Sequence, residues 1–308
     1  MLTPDQLDAL PRRFVQLWQQ VEDDILQDIA RRMKSLGELD PLTPTAIWQA
    51  WRLAETRAVR SNTVATLAKY TGKSRAEIKR LLETAGVQTL AADDAVYTAA
   101  GLDPPPVNQS PALLNLLNAG YRQTCGTWQN LTATTANTVT GAFEDRLSRA
   151  WGLISTGAQD YSTAIRRTVD DLADTMPYIT YPSGHVDTLD VVVLRACRTG
   201  VNQTAGEITR YNADALDCDL MELDAHVGAR TGDGGQDLTN HSWWQGQIVS
   251  RSGKHGYLSL ADIGYGDVRG FMGANCSHNW SMYWEGASVR SYTPERLARI
   301  NAATVSYN

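Results

Sequence analysis

Residues 224–246 read DAHVGARTGDGGQDLTNHSWWQG, and residues 264–286 read GYGDVRGFMGANCSHNWSMYWEG. Neither stretch carries a helical stripe. Gly228, Gly246, Gly264, Gly266, Gly270 and Gly273 supply backbone that takes positive φ or comes close to another segment. Four of the nine tryptophans (Trp243, Trp244, Trp280, Trp284) lie here and bring large buried area to a region too short for a thick core. His226, His241, Cys276 and His278 add a polar cluster. The two stretches predict a small α+β domain rich in glycine and tryptophan.

Upstream the pattern is helical, so the fold class expected for the whole chain is α+β with a mainly helical N-terminal two-thirds. Leu7, Leu10, Phe14, Leu17, Val21, Ile25, Ile29 and Met33 recur at three- and four-residue spacing and predict one long amphipathic helix from Thr3-Pro4 to Gly37. A second helix starts at Thr43-Pro44, and Thr71-Gly72 is read as a break. Ser74-Arg75-Ala76-Glu77 fits a capping box for a further helix that Gly86 ends. A short helical stretch covers about residues 90–99. Pro104-Pro105-Pro106 reads as a stiff linker over 104–109. Ser110-Pro111 opens a new helix. The Thr-rich stretch Leu131 to Thr140 is a poorer helix former because β-branched residues lose rotamer freedom there, and a further helix covers about 160–175. Ile179 to Val186 reads as a small hairpin, followed by a helix from Leu189 to Asn212, a strand at Leu220 to Leu223 and a closing helix after Thr293-Pro294. The expected organisation is a helical region 1–103, the linker 104–109, a central helical region 110–177 and an α+β domain 178–308.

Composition narrows the function. The chain has 308 residues, is 43% hydrophobic and 20% charged, and carries a formal net charge of -6. That suits a globular protein and argues against wholesale coating of nucleic acid. No apolar run approaches the length needed to cross a bilayer, and the first residues lack a secretory pattern, so synthesis in the cytoplasm and no membrane contact are expected. Cys125, Cys197, Cys218 and Cys276 are scattered without a CxxC pair and read as reduced thiols.

Imidazole and thiolate are zinc ligands, so His226, His241, Cys276 and His278 form a candidate metal set. The Cys276-Ser277-His278 spacing is tighter than the usual gap within zinc ligand pairs. The favoured reading of the same residues is a hydrogen-bonded fastening of irregular loops, with no cofactor at all. A zinc-dependent, hydrolase-like enzyme would also need a general base, for which Asp224, Asp233 and Asp267 stand nearby. Cys276 as a nucleophile has no nameable orienting residue, and no catalytic residue is assigned. Gly72-Lys73-Ser74 is no phosphate-binding loop, because Leu67 stands where that loop needs glycine. Lys73, Arg75, Lys79 and Arg80 give residues 62–86 a basic face that a DNA-binding helix-turn-helix or a plain solvated helix would both explain.

The order of short motifs is also informative. Ala225-His226-Val227-Gly228-Ala229-Arg230 comes first, then His241-Ser242-Trp243-Trp244-Gln245-Gly246, then Gly264-Tyr265-Gly266, then Gly273-Ala274-Asn275-Cys276-Ser277-His278 and finally Glu285-Gly286. Upstream stand Tyr181-Pro182-Ser183-Gly184 and the run Arg195 to Gln203. This series resembles the phage minor capsid protein 2 family and is similar to Mu-type head-morphogenesis proteins. The likeness covers about residues 178–290. Ser277 departs from it, standing where the family pattern has arginine. The resemblance implies a non-enzymatic minor component of a tailed-phage virion head near the portal vertex. Its implied partners are the portal protein, the major capsid protein and packaged DNA.

Overall fold

The computed structural model describes residues 4–36, 39–40, 42–99, 110–175, 178–180 and 186–307. In chain order the elements are α1 (Pro4–Ala9), α2 (Arg12–Ser35), α3 (Thr45–Ala99), α4 (Pro111–Ser155), α5 (Tyr161–Thr175), β1 (Tyr178–Thr180), β2 (Val186–Thr188), α6 (Leu189–Ala215), β3 (Leu220–Leu223), α7 (His241–Trp244), β4 (Ile248–Ser250), β5 (Leu258–Ser259), β6 (Trp280–Tyr283) and α8 (Pro294–Tyr307). The fold is α+β, helical through most of its length, with its main sheet in the C-terminal part.

The chain divides into two compact units. The helical unit comprises Arg13–Glu77 and Cys125–Leu194; the second, here the C-terminal unit, comprises Met1–Arg12, Ile78–Thr124 and Arg195–Asn308. In the helical unit α2 buries Phe14, Trp18, Val21, Ile25, Ile29 and Met33, the three- and four-residue spacing of one helix face. Trp48 stacks on Trp151 at 4.6 Å and on Trp51 at 5.7 Å. Arg32 bridges Asp28 and Glu55, both at 2.9 Å. Asp160 opens α5 by accepting the Thr163 N–H at 3.0 Å, a normal N-cap arrangement.

In the C-terminal unit, α4 and α6 meet through reciprocal glycine–threonine contacts. A Cβ on Gly120 would sit 2.1 Å from Thr204 Oγ1, and one on Gly200 would sit 2.2 Å from Thr124 Oγ1. Each glycine lies four residues from the threonine on its own helix, so both pairs fall on one face of each helix. The sheet has the order β5-β4-β3-β6, with β3 antiparallel to β4 and β6, and β4 parallel to β5. Its core gathers Met221, Leu223, Trp244, Val249, Phe271 and Trp280. In β3, both faces are buried.

Several expectations need correcting. The first helix is two, α1 and α2, parted at Leu10-Pro11, because proline has no N–H to continue the ladder. Trp18 rather than Leu17 is the fully buried member of the α2 stripe. Thr71-Gly72 and Gly86 do not end helices: α3 runs through both. Buried Leu67, Tyr70, Ser74, Ile78, Leu81, Leu82 and Ala85 carry one stripe across Gly72, and that packing outweighs the roughly 1 kcal/mol glycine costs a helix. A Cβ built on Gly86 would lie 3.3 Å from the Leu117 side chain and 3.4 Å from that of Ile208, so the helix is closely packed at this point. Ser74 is interior to α3, so it caps nothing, and residues 62–86 form no helix-turn-helix. The Thr-rich stretch is helical, and Thr134, Thr135 and Thr140 return hydroxyl hydrogen bonds to carbonyls four residues back. The helices opened at Ser110-Pro111 and at residue 160, the α6 helix, the β3 strand and the closing helix stand as expected. The β1–β2 pairing forms, whereas its turn and the proline stretch 104–106 lie outside the described residues.

Candidate functional site

The site is built by α6 and the loop before β6. Arg198, Thr199, Asn202 and Gln203 share one face of α6 through their i, i+4 and i, i+5 spacing. Arg198 donates to Asn275 Oδ1 (3.1 Å), and Thr199 Oγ1 accepts the Asn275 N–H (2.9 Å). Asn202 Nδ2 donates to the carbonyls of Cys276 (3.1 Å) and His278 (2.8 Å). Gln203 donates to the Met272 carbonyl (2.8 Å). Met272 and Asn275 hold positive φ (57° and 56°), which non-glycine residues adopt in turns and not in strand ladders. Asn279 closes the arrangement: its side chain donates to Asn202 Oδ1 (2.9 Å), and its N–H donates to Asp224 Oδ1 (3.0 Å).

Inside this frame three of the four predicted ligands converge. The ligand atoms of His241, Cys276 and His278 lie within 4.8 Å of one another, and all three residues are buried. Cys276 Sγ is 3.8 Å from His241 Nδ1 and 3.6 Å from His278 Nδ1. His226 does not join them; its ring stacks on His278 at 4.2 Å, and its Nδ1 lies 2.9 Å from the Val227 carbonyl. Trp244 packs against His241 (4.4 Å) and His278 (4.8 Å). Of the acids considered as bases, Asp233 and Asp267 accept from Gly235 and Arg269 N–H groups and fix their own turns. Asp224 is buried behind the cluster, where burial holds its carboxyl well above the usual carboxylate range.

The other motif residues are structural. The Gly228 N–H donates to Thr304 Oγ1 (3.1 Å), and Arg230 donates to the Ala274 carbonyl. Gln245 Oε1 accepts the His226 N–H (3.1 Å) while its amide nitrogen donates to Asn301 (2.6 Å). Gly246 holds φ +67°, and a Cβ there would lie 2.3 Å from Leu297. Gly264 (φ +63°) lets its carbonyl approach Gly270, where a Cβ would be 2.3 Å from that oxygen. Tyr265 donates to Glu207 and stacks on Trp280 at 5.3 Å. Gly266 holds φ +92°, and Gly273 lies against the Val268 carbonyl.

Sequence reasoning held Asn202 only within the run Arg195 to Gln203 and missed Asn279, Glu207 and Glu222. Glu222 had a legible signal: it is the one charged residue in the buried strand Leu220–Leu223. The others become visible only once the loop is placed against α6.

Burial sets the cluster's protonation. It pushes the Cys276 thiol up to about 11 and draws the His241 imidazole down to about 4. His278 is also held well below its ordinary value, first by burial and then by His226, His241 and Arg230. A thiol so disposed is a poor nucleophile. A histidine whose folded pKa lies below its unfolded one stabilises the fold above the unfolded pKa. That contribution is lost as pH falls. With chelator present, stability is therefore expected to fall between pH 6.5 and pH 5, by about 2 kcal/mol from His241, with His278 acting in the same direction. Denaturant midpoints across that window check this, and a flat profile contradicts it.

The model of a family described as phage minor capsid protein 2 matches residues 2–308. The chain belongs to that family. The match takes in the helical N-terminal part as well as the glycine- and tryptophan-rich stretches. No curated protein and no solved structure matches the chain. The family is one of structural proteins of the phage particle, so the chain is a phage head protein whose contacts are with other head components. Among the described residues no helix is long and apolar enough to cross a membrane.

Proposed function

We propose that the chain is a minor component of a tailed-phage head, placed at or near the portal vertex, and that it acts in head assembly without catalysing a reaction. The family match over residues 2–308 carries this reading. The portal protein and the major capsid protein are its proposed partners, met in the host cytoplasm as heads are built. The cluster supports a non-enzymatic role: His241, Cys276 and His278 are each at most 2% exposed, so no substrate reaches them. Both Nε2 atoms at the cluster's edge are engaged, by Arg269 and Gln245. Contact with packaged DNA would fall to the basic residues of α3, of which Lys79 already faces Glu83 at 3.8 Å and Lys73 lies over the Tyr70 ring at 5.2 Å. Those pairings, with the net charge of -6, favour a protein partner over DNA.

Purified virions are expected to contain the chain in few copies, with antibody label at a single vertex by electron microscopy. Virions that lack the chain while its gene is intact and expressed would overturn the proposal. Label spread over the whole shell would overturn the vertex placement.

A further inference from the structure

His241 Nδ1, His278 Nδ1 and Cys276 Sγ meet at one buried place, and the hydrogen atoms there can be counted. His241 Nε2 lies 2.9 Å from the Arg269 carbonyl oxygen, which only accepts, so Nε2 carries the ring proton. His278 Nε2 lies 3.1 Å from Gln245 Oε1. That atom is identified as oxygen because the His226 backbone N–H donates to it and the amide nitrogen of the same side chain donates to Asn301. His278 Nε2 therefore also carries the proton. In both neutral rings Nδ1 is left as a lone pair, and both lone pairs face the same sulfur, at 3.8 and 3.6 Å.

A thiol has one proton and satisfies one of the two nitrogens. The second then faces sulfur lone pairs, in a place lined by Trp244 and closed to solvent. Leaving a buried acceptor unmet is costly, and so is a charged imidazolium among apolar rings. A cation between the three atoms satisfies all of them at once.

We infer that His241, Cys276 and His278 bind one divalent transition-metal ion of the zinc class through Nδ1, Sγ and Nδ1. The spacing fits. A tetrahedral zinc about 2.3 Å from sulfur and about 2.05 Å from nitrogen sets each sulfur–nitrogen pair about 3.6 Å apart. The partners on Nε2 are the carbonyl and amide oxygens that orient ligand histidines in metal sites. On binding, the Cys276 S–H proton leaves to solvent, and the sulfur lone pair passes to the metal. The ion joins the first residue of α7 to the loop before β6, two segments 35 residues apart in the chain. The three protein atoms leave one tetrahedral position to a further ligand.

The test uses the full-length protein purified without chelator. Elemental analysis is expected to find about one zinc per chain. Metal-stripped protein titrated with Co(II) is expected to develop the visible bands of a tetrahedral ion and a near-ultraviolet sulfur-to-cobalt band. Cys276→Ser removes the sulfur band. Adding Zn(II) to stripped wild-type protein is expected to raise Tm by about 5 °C or more. The inference is overturned if stripped wild-type protein, folded by circular dichroism, gives no sulfur-to-cobalt band and no Tm shift with excess Zn(II). It is equally overturned if the sulfur band persists in Cys276→Ser, which would assign it to another cysteine. The decisive reading comes from the wild-type chain, so a poorly folding variant does not obscure it.

Discussion

Trp244→Ala is expected to lower the stability of the C-terminal unit by about 3–5 kcal/mol, the range for truncating a buried aromatic residue in a core. Trp244 is fully buried. Its ring contacts His241 and His278 on one side and meets Phe271 edge-on at 5.8 Å on the other. Its Nε1–H donates to the Leu238 carbonyl at 3.2 Å, so truncation both opens a cavity and strands an acceptor. The glycine-rich loops around it have little apolar side chain with which to collapse into the space. Chemical denaturation of purified protein measures the loss, and Trp244→Phe should retain more stability than alanine. A loss below about 1 kcal/mol for the alanine variant would mean that the ring is not a central packing element.

Glu222→Ala carries the second large effect, about 3–4 kcal/mol. Its carboxylate, 3% exposed on the central strand β3, accepts the Ser291 N–H at 3.0 Å and the Tyr292 N–H at 3.3 Å. Arg290 Nε approaches it at 3.2 Å, and the Arg290 guanidinium also reaches the Gly246 carbonyl. Alanine leaves those N–H groups without their acceptor and the guanidinium without its counter-charge. Arg290 is partly exposed, so most of the loss comes from the backbone donors and not from the ion pair. Glu222→Gln keeps one carbonyl oxygen and should lose about half as much. Thermal melts of the two variants give the ranking; equal loss from alanine and glutamine would show that charge, not hydrogen bonding, dominates.

The sequence was most legible where local chemistry decides the outcome. The helix from about residue 160 and the start of α8 at Thr293-Pro294 were readable, and Leu220–Leu223 was readable as a short strand. Residue type marked His226, His241, Cys276 and His278 as a candidate set, and three of the four converge. Glycine misled in both directions. Gly72 and Gly86 looked like stops, yet α3 passes through them because tertiary packing holds the stripe together, and the helix is closely packed at Gly86. The stacking of His226 on His278 was hidden for a related reason. Ring placement depends on where Val227 and Gln245 direct the residues around it, and no spacing rule encodes that.

The two units also differ in when the ribosome can finish them. The helical unit uses Arg13–Glu77 and Cys125–Leu194, so its whole sequence has been made once residue 194 is added. The C-terminal unit takes residues from Met1–Arg12 and Ile78–Thr124 but depends on Arg195–Asn308. Its fasteners include residues made well after residue 194: Cys276 and His278, Trp280 in β6, Asn301 holding Gln245 and Thr304 holding the Gly228 N–H. Contacts between residues this far apart in sequence form late because the intervening chain must first be closed into a loop. A growing chain therefore has its helical unit fully made well before its C-terminal unit can close.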